Sequence, residues 1–290
     1  MSEYILTGPD GTEFDIKSGP IRLSSAGIMG LSMPPFEAYT RETAALDGQV
    51  LTGYRTGPRT VFLPLLTPMG LGVDEWLASE SAFWKIMDPE VTCRLTVSSS
   101  ADVVRFLDLR FVGDGDLAFD LDPTDVTGYP FGLEMVADKP FWRGPLTSKV
   151  FQTAADTGNF YAPPGSSFVF TIGSASTVAG ATVSNPGDTP AWPTHTVYGP
   201  AVSFSINVGG SVISATLALA AGEWLTIDTN PTAQIARKWV AGVGTIVPFF
   251  QFSSIQFAQI PRGGSVPVDI VLNGAGSVQV AFSPQYRRAF

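Results

Sequence analysis

Val136-Ala-Asp-Lys-Pro-Phe-Trp-Arg-Gly-Pro145 divides the chain into halves of different composition, and the fold is read outward from it. Pro140 and Pro145 each remove a backbone donor and push the preceding residue towards extended geometry. Phe141 and Trp142 bring large apolar area to a place where a bare linker has no use for it. Two roles fit these rings, core residues at the end of a last strand or a domain interface, and both make Pro140, Phe141 and Trp142 a boundary. A chain of 290 residues can hold two cores of ordinary size. The expected domains are therefore 1–145 and 146–290.

Charge separates the halves further. Up to Pro145 there are 21 acidic and 11 basic residues, a net of −10; beyond it there are 5 and 6, a net of +1. Charged residues make up only 15% of the chain and hydrophobic residues 44%, with a mean hydropathy of +0.20. That is weak solvation for a free monomer, so partner subunits are expected to cover part of the surface. A membrane span is not expected, because the longest apolar stretch, Trp239 to Phe250, is short and broken by Gly242, Gly244, Thr245 and Pro248. Met1-Ser2-Glu3-Tyr4 has no basic region followed by an apolar run, so synthesis in a cytoplasm without a secretion signal is the expectation. The single cysteine, Cys93, excludes an intramolecular disulfide and a Cys-based zinc site. A net charge of −9 has the wrong sign for gripping nucleic acid.

In the first half, Tyr4–Thr7 and Thr12–Ile16 flank Gly8-Pro9-Asp10-Gly11, a hairpin signature. From Ser24 to Pro58 neither the helical nor the strand period is visible, yet Ile28, Met29, Leu31, Met33 and Phe36 keep the stretch apolar. The region, about 24–58, reads as an arm that orders against a neighbouring subunit, with those five residues at the interface; a set of short edge strands is the alternative. Arg59 to Leu65 alternates as a strand. A helix over about 74–88 is expected, capped by Asp74, with a stripe of Trp76, Leu77, Phe83, Trp84 and Met87. Glu80 falls within that stripe and calls for a partner such as Arg59 or Arg94. Cys93 falls on the apolar side of a strand, as a buried inert thiol. The Asp114–Asp125 cluster suggests calcium, but Leu117, Phe119 and Leu121 alternate through it and the EF-hand order is absent, so a strand with an acidic face is the reading.

In the second half, short strands recur between turn signals, the spacing of a β-sandwich. Candidates are Phe168–Ile172, Thr182–Ser184, Thr194–Tyr198, Ser203–Val208, Val212–Leu219, Trp224–Asp228, Phe249–Phe252, Val266–Leu272 and Val278–Phe282, with Gly209-Gly210 as a two-residue hairpin link. The run from Asn185 to Pro200 reads as structural, a tight turn followed by prolines that keep the chain extended. No nucleophile elbow, zinc-protease helix motif, P-loop or dinucleotide fingerprint is present. The lone His195 sits on a strand between two threonines. No enzyme, cofactor or metal site is expected.

Four motifs carry a family resemblance: Asn185-x-Gly-Asp-x-Pro-Ala-x-Pro193 ending in Gly199-Pro200, Ala221-Gly-Glu-Trp-Leu-Thr-Ile-Asp-Thr229, the Pro261-Arg-Gly-Gly264 turn, and Tyr286-Arg-Arg288. Together they resemble the C-terminal domain of the distal tail proteins of long-tailed siphophages. Gly48 to Leu65, Gly57-Pro-Arg-Thr60 above all, and the boundary segment resemble the ring-forming domain of the same proteins. The Pro-Arg-Gly-Gly-Ser order departs from the Gly-x-Asn turn of that family. The resemblance implies an all-β protein with one helix, a ring-forming β-barrel or sandwich followed by a galectin-like β-sandwich. It implies a virion component at the tail tip, forming a homohexameric ring between the tail tube protein and the baseplate hub or tail-associated protein, with the tape measure protein as a further partner. The ring would leave a lumen for DNA. The alternative is a carbohydrate-binding module for host glycans, with Trp192, Tyr198, Trp224 and Trp239 stacking on sugar rings.

Overall fold

The computed structural model describes residues 2–24, 27–43, 47–67, 72–100, 103–114, 128–153, 169–172 and 177–290. The chain is mostly β with one α-helix among the described residues, and it forms two compact units. The first comprises 1–144 together with Tyr286–Phe290, and the second is Pro145–Gln285. The last five residues, which the sequence reading grouped with the second half, thus belong to the first unit.

The first unit contains β1 (Glu3–Thr7), β2 (Glu13–Asp15), β3 (Arg22–Leu23), β4 (Phe36–Arg41), β5 (Val50–Thr56), β6 (Arg59–Leu66), α1 (Val73–Lys85), β7 (Cys93–Ser100), β8 (Val103–Gly113), β9 (Pro130–Ala137) and β10 (Trp142–Arg143). The main sheet runs β2-β1-β7-β8-β9-β6-β3, with β10 beside β8. Alternation drives this arrangement. Val61, Leu63 and Leu65 of β6 face inward, meeting Leu95 and Val97 of β7, Leu107 and Leu109 of β8, and Leu133 and Met135 of β9 in one core. The β1–β2 hairpin forms as expected, with Thr7 opposite Glu13 and Gly11 in left-handed geometry at φ 84°. Trp142 is fully buried in this core.

Helix α1 starts one residue before the expected cap. Gly72 occupies the N-cap, and Asp74 and Glu75 lie in the first turn, where carboxylates meet the positive end of the helix dipole. The helix stops at Lys85, and Asp88 then accepts from the Glu90 and Val91 amides in a turn. Trp76 and Phe83 are buried, but Leu77, expected in the stripe, is 44% exposed because the core-facing arc is narrower than the apolar pattern. Phe83 anchors an aromatic cluster, edge-on to Phe14, Trp84 and Phe131 at centroid distances of 5.4, 5.9 and 6.0 Å. Glu80 pairs with neither Arg59 nor Arg94. It accepts from the Tyr129 hydroxyl, and burial raises its pKa against the opposing hydrogen bond from Trp84. Arg94 instead bonds Asp108 at 2.8 Å.

In the second unit lie β11 (Thr147–Thr153), β12 (Val169–Ile172), β13 (Thr177–Ser184), β14 (Thr194–Tyr198), β15 (Ala201–Val208), β16 (Ser211–Leu219), β17 (Trp224–Asp228), β18 (Ile235–Val240), β19 (Val243–Ile246), β20 (Phe252–Ile255), β21 (Ser265–Asn273) and β22 (Ser277–Phe282); a two-residue strand, β23 (Gln285–Tyr286), ends the series. A seven-stranded sheet, β12-β11-β22-β14-β17-β18-β19, and a five-stranded sheet, β13-β21-β15-β16-β20, share one core. Val197, Leu225, Ile227 and Val278 come to it from the first, Phe204, Ile206, Val268 and Ile270 from the second. Phe249–Gln251, expected to open a strand, is a single 3-10 turn behind Pro248. Strands β11, β18 and β19 were not among the expected ones. Gly209 and Gly210 make the expected two-residue link, both left-handed at φ 60° and 92°.

The Asn185 turn is structural, as expected. Its buried amide donates to the carbonyls of Thr189 (2.9 Å) and Ile260 (3.2 Å) while its oxygen accepts from the Gly187 amide (2.9 Å). Thr229 donates to the Pro193 carbonyl at 2.6 Å, tying the proline run to the end of β17.

Candidate functional site

The arm expected at 24–58 resolves into a clamped loop and a free ribbon. The loop is held to β6: Met29 exchanges backbone hydrogen bonds with Phe62 at 3.0 and 3.2 Å, while Ile28 and Leu31 pack on the core. Gly30 has φ 87° and lies so close to the Thr60 carbonyl and Val61 that a Cβ would collide with backbone. Arg59, at the start of β6, locks the loop. Its guanidinium donates to the carbonyls of Gly30 (2.6 Å), Ser32 (2.5 Å), Pro140 (2.7 Å) and Arg287 (2.6 Å), and its side chain is almost wholly inaccessible. Burial lowers its pKa to about 10, which leaves it charged at neutral pH. Charge-assisted bonds to four carbonyls take the place of a carboxylate partner.

Beyond the loop, β4 and β5 pair, among the described residues, only with each other and form a two-stranded sheet apart from the main one. Every residue of β4 is exposed, and Leu51 and Tyr54 of β5 are 61% and 58% exposed. Of the five arm residues expected at an interface, Ile28 and Leu31 turn inward, while Met29, Met33 and Phe36 turn outward and continue into Tyr39, Val50, Leu51 and Tyr54. An isolated two-stranded ribbon is marginal by itself, and among the described residues nothing buries either face of this one. The absence of any period over 24–58 in the sequence has this cause, since alternation appears only where one face is buried.

In the second unit, three of the four expected stacking residues come together on the outer face of the seven-stranded sheet. Tyr198 of β14 stands opposite Trp224 of β17, and Trp224 opposite Trp239 of β18. The two indoles are nearly parallel, 13° apart in plane, with centroids 6.0 Å apart. Trp192 precedes β14 and is not in this row. Further along the same face, Thr226 lies opposite Arg237 and Thr194 opposite Asp228. With the two indoles and Ile235 these residues line a groove of 310 Å³. Among the described residues the Arg237 guanidinium makes no ion pair or hydrogen bond, and Asp228 uses Oδ1 on the Asn230 amide at 2.9 Å. Arg237 escapes a sequence reading that does not recognise β18 as a strand. The available signal is the matching alternation of Trp224-Thr226-Asp228 and Ile235-Arg237-Trp239.

His195 is 2% exposed on the inner side of β14, and desolvation lowers its pKa to about 4. It is a neutral core residue. Cys93 is buried with its thiol pushed up to about 12, chiefly by desolvation, so it is unreactive. The aspartates at 116, 120, 122 and 125 lie outside the described residues, among which no group of three His, Cys, Asp or Glu could hold a metal. No helix among them is long and apolar enough to cross a membrane.

No protein-family model matches the sequence, and neither does any curated protein. Solved structures do. The chain is similar to the Dit protein of SPP1, described as a paradigm of the hub adsorption apparatus in phages infecting Gram-positive hosts, with a TM-score of 0.61 and 15% identity over 97% of this chain and 98% of that one. It is also similar to chains of the phage P2 baseplate in its activated conformation with Ca and with Sr, each with a TM-score of 0.55, at 10% and 11% identity over 97% of this chain and 98% of theirs. Over nearly its whole length, then, this chain has the fold of the SPP1 Dit protein.

Proposed function

We propose that this chain is a structural virion protein of a long-tailed phage, a distal tail protein that forms a ring, homohexameric in our reading, at the end of the tail tube. The first unit is the ring-forming belt domain, and the second is a galectin-like sandwich. The ring joins the tail tube protein to the baseplate hub or tail-associated protein, contacts the tape measure protein, and leaves a lumen for DNA. The fold it shares with SPP1 Dit and the phage P2 baseplate chains supports the tail-tip setting. The observation that carries the ring is the β4–β5 ribbon, an apolar hairpin without a core of its own, which a neighbouring copy would cover. The surplus of acid before Pro145, 21 residues against 11, supports a lumen wall that repels passing DNA.

Light scattering and negative-stain imaging of the purified chain, alone and with tail tube protein, test this. A closed oligomer with a central hole is the expected result. A strict monomer that also fails to bind tail tube protein would overturn the reading, as would a neutral or basic lumen for its electrostatic part.

A further inference from the structure

The groove on the outer face of β14, β17 and β18 has a chemistry that the assembly reading does not use. One wall is the Trp224–Trp239 pair, and Trp239 leans over Gly244, where a Cβ would come within 3.0–3.1 Å of its six-membered ring. Any side chain at 244 would lift that indole, so the bare glycine lets it lie down on β19. Beyond the rings stand a guanidinium without a side-chain or carbonyl partner among the described residues, Arg237, and a carboxylate with one oxygen uncommitted among them, Asp228, with the Thr194 and Thr226 hydroxyls between them. An anionic ligand would satisfy the guanidinium but be repelled by the carboxylate, and an amine would do the reverse. A hydroxyl both donates and accepts, so a ligand rich in hydroxyls suits both. The indole faces in turn favour a ligand with an apolar C–H face.

We propose that this groove binds a neutral hexopyranose of a glycan, its C–H face against the Trp224–Trp239 wall and its vicinal hydroxyls bridging Arg237 and Asp228. Its 310 Å³ lies at the small end of ligand pockets, room for about one or two sugar rings. The proposal is independent of the tail-tip reading, because sugar binding can fail in an intact ring and persist in a monomer.

The full chain, fluorescently labelled, is applied to an array of neutral and acidic glycans. A neutral glycan that binds is then titrated as a free oligosaccharide, following intrinsic tryptophan fluorescence. Binding to neutral glycans, with dissociation constants about tenfold higher in Trp239→Ala and in Arg237→Ala, is the expected result. Arg237 is an exposed strand residue, so its variant keeps the fold if removal of Trp239 does not. A blank array, binding confined to acidic glycans, or unchanged affinity in Arg237→Ala overturns the proposal. The last outcome would reduce the tryptophan pair to cross-strand packing.

Discussion

His195 and Arg59 are both buried ionisable groups, and they respond to burial in opposite ways. Among the described residues no charged group pairs with His195, and desolvation keeps it neutral, with its folded-state pKa lowered from 6.5 to about 4. As pH falls from 6.5 towards 4, the unfolded chain takes up a proton that the folded chain refuses, so this group removes stability across that window and contributes nothing above it. The expected slope is about 1.4 kcal/mol per pH unit, and because His195 is the chain's only histidine, His195→Leu should flatten it in urea denaturation at a series of pH values. Arg59 keeps its charge by donating to four carbonyls in a fork that an ammonium cannot reproduce. Arg59→Lys should therefore destabilise the first unit by about 3 kcal/mol, read as a lower denaturation midpoint.

Elements differ in how openly the sequence shows them, and the difference follows burial. Strands β6, β14, β17 and β22 each bury one face, so their alternation is plain and their limits are found almost to the residue. Strand β18 hides because Ala236 is its one buried residue, Ile235 and Trp239 face outward, and Lys238 faces the other way to pair with Glu223 at 2.8 Å. The aromatic members of the groove were therefore legible in the sequence, but its polar members were not. Arg59 was singled out within the Gly57-Pro-Arg-Thr60 motif and as a partner for Glu80, but not for its role, since the carbonyls it gathers come from positions 30, 32, 140 and 287, which no local pattern links. The ribbon lacks alternation for the opposite reason, having no buried face at all. Leu51→Asp and Tyr54→Asp should leave thermal stability within about 0.5 kcal/mol of the parent, as exposed substitutions do. In sedimentation velocity the same variants should shift the chain from oligomer to monomer; an unchanged oligomer would remove the ribbon from the interface.

At the scale of the whole molecule, low charge and two separate cores frame the behaviour, but the path of the chain matters as much. Residues 286–290 belong to the first unit, where Ala289 is fully buried and donates its amide to the Leu31 carbonyl at 2.8 Å. Tyr286 lies under the Arg105 guanidinium at 3.8 Å, and Arg287 supplies the fourth carbonyl to Arg59. Removing 286–290 should thus weaken the first unit by several kcal/mol, about 3 or more from the Arg59 and Ala289 contacts together. Hydrogen exchange over β6 and the 27–32 loop would report it, with little change in β14–β17. The order of synthesis is then unusual: a ribosome must emit all of the second unit before the first can close around Ala289. A product cut short anywhere before residue 286 would hold the 27–32 loop, at the root of the ribbon, only through Arg59 and the Met29–Phe62 pair, without the Ala289 tie to Leu31.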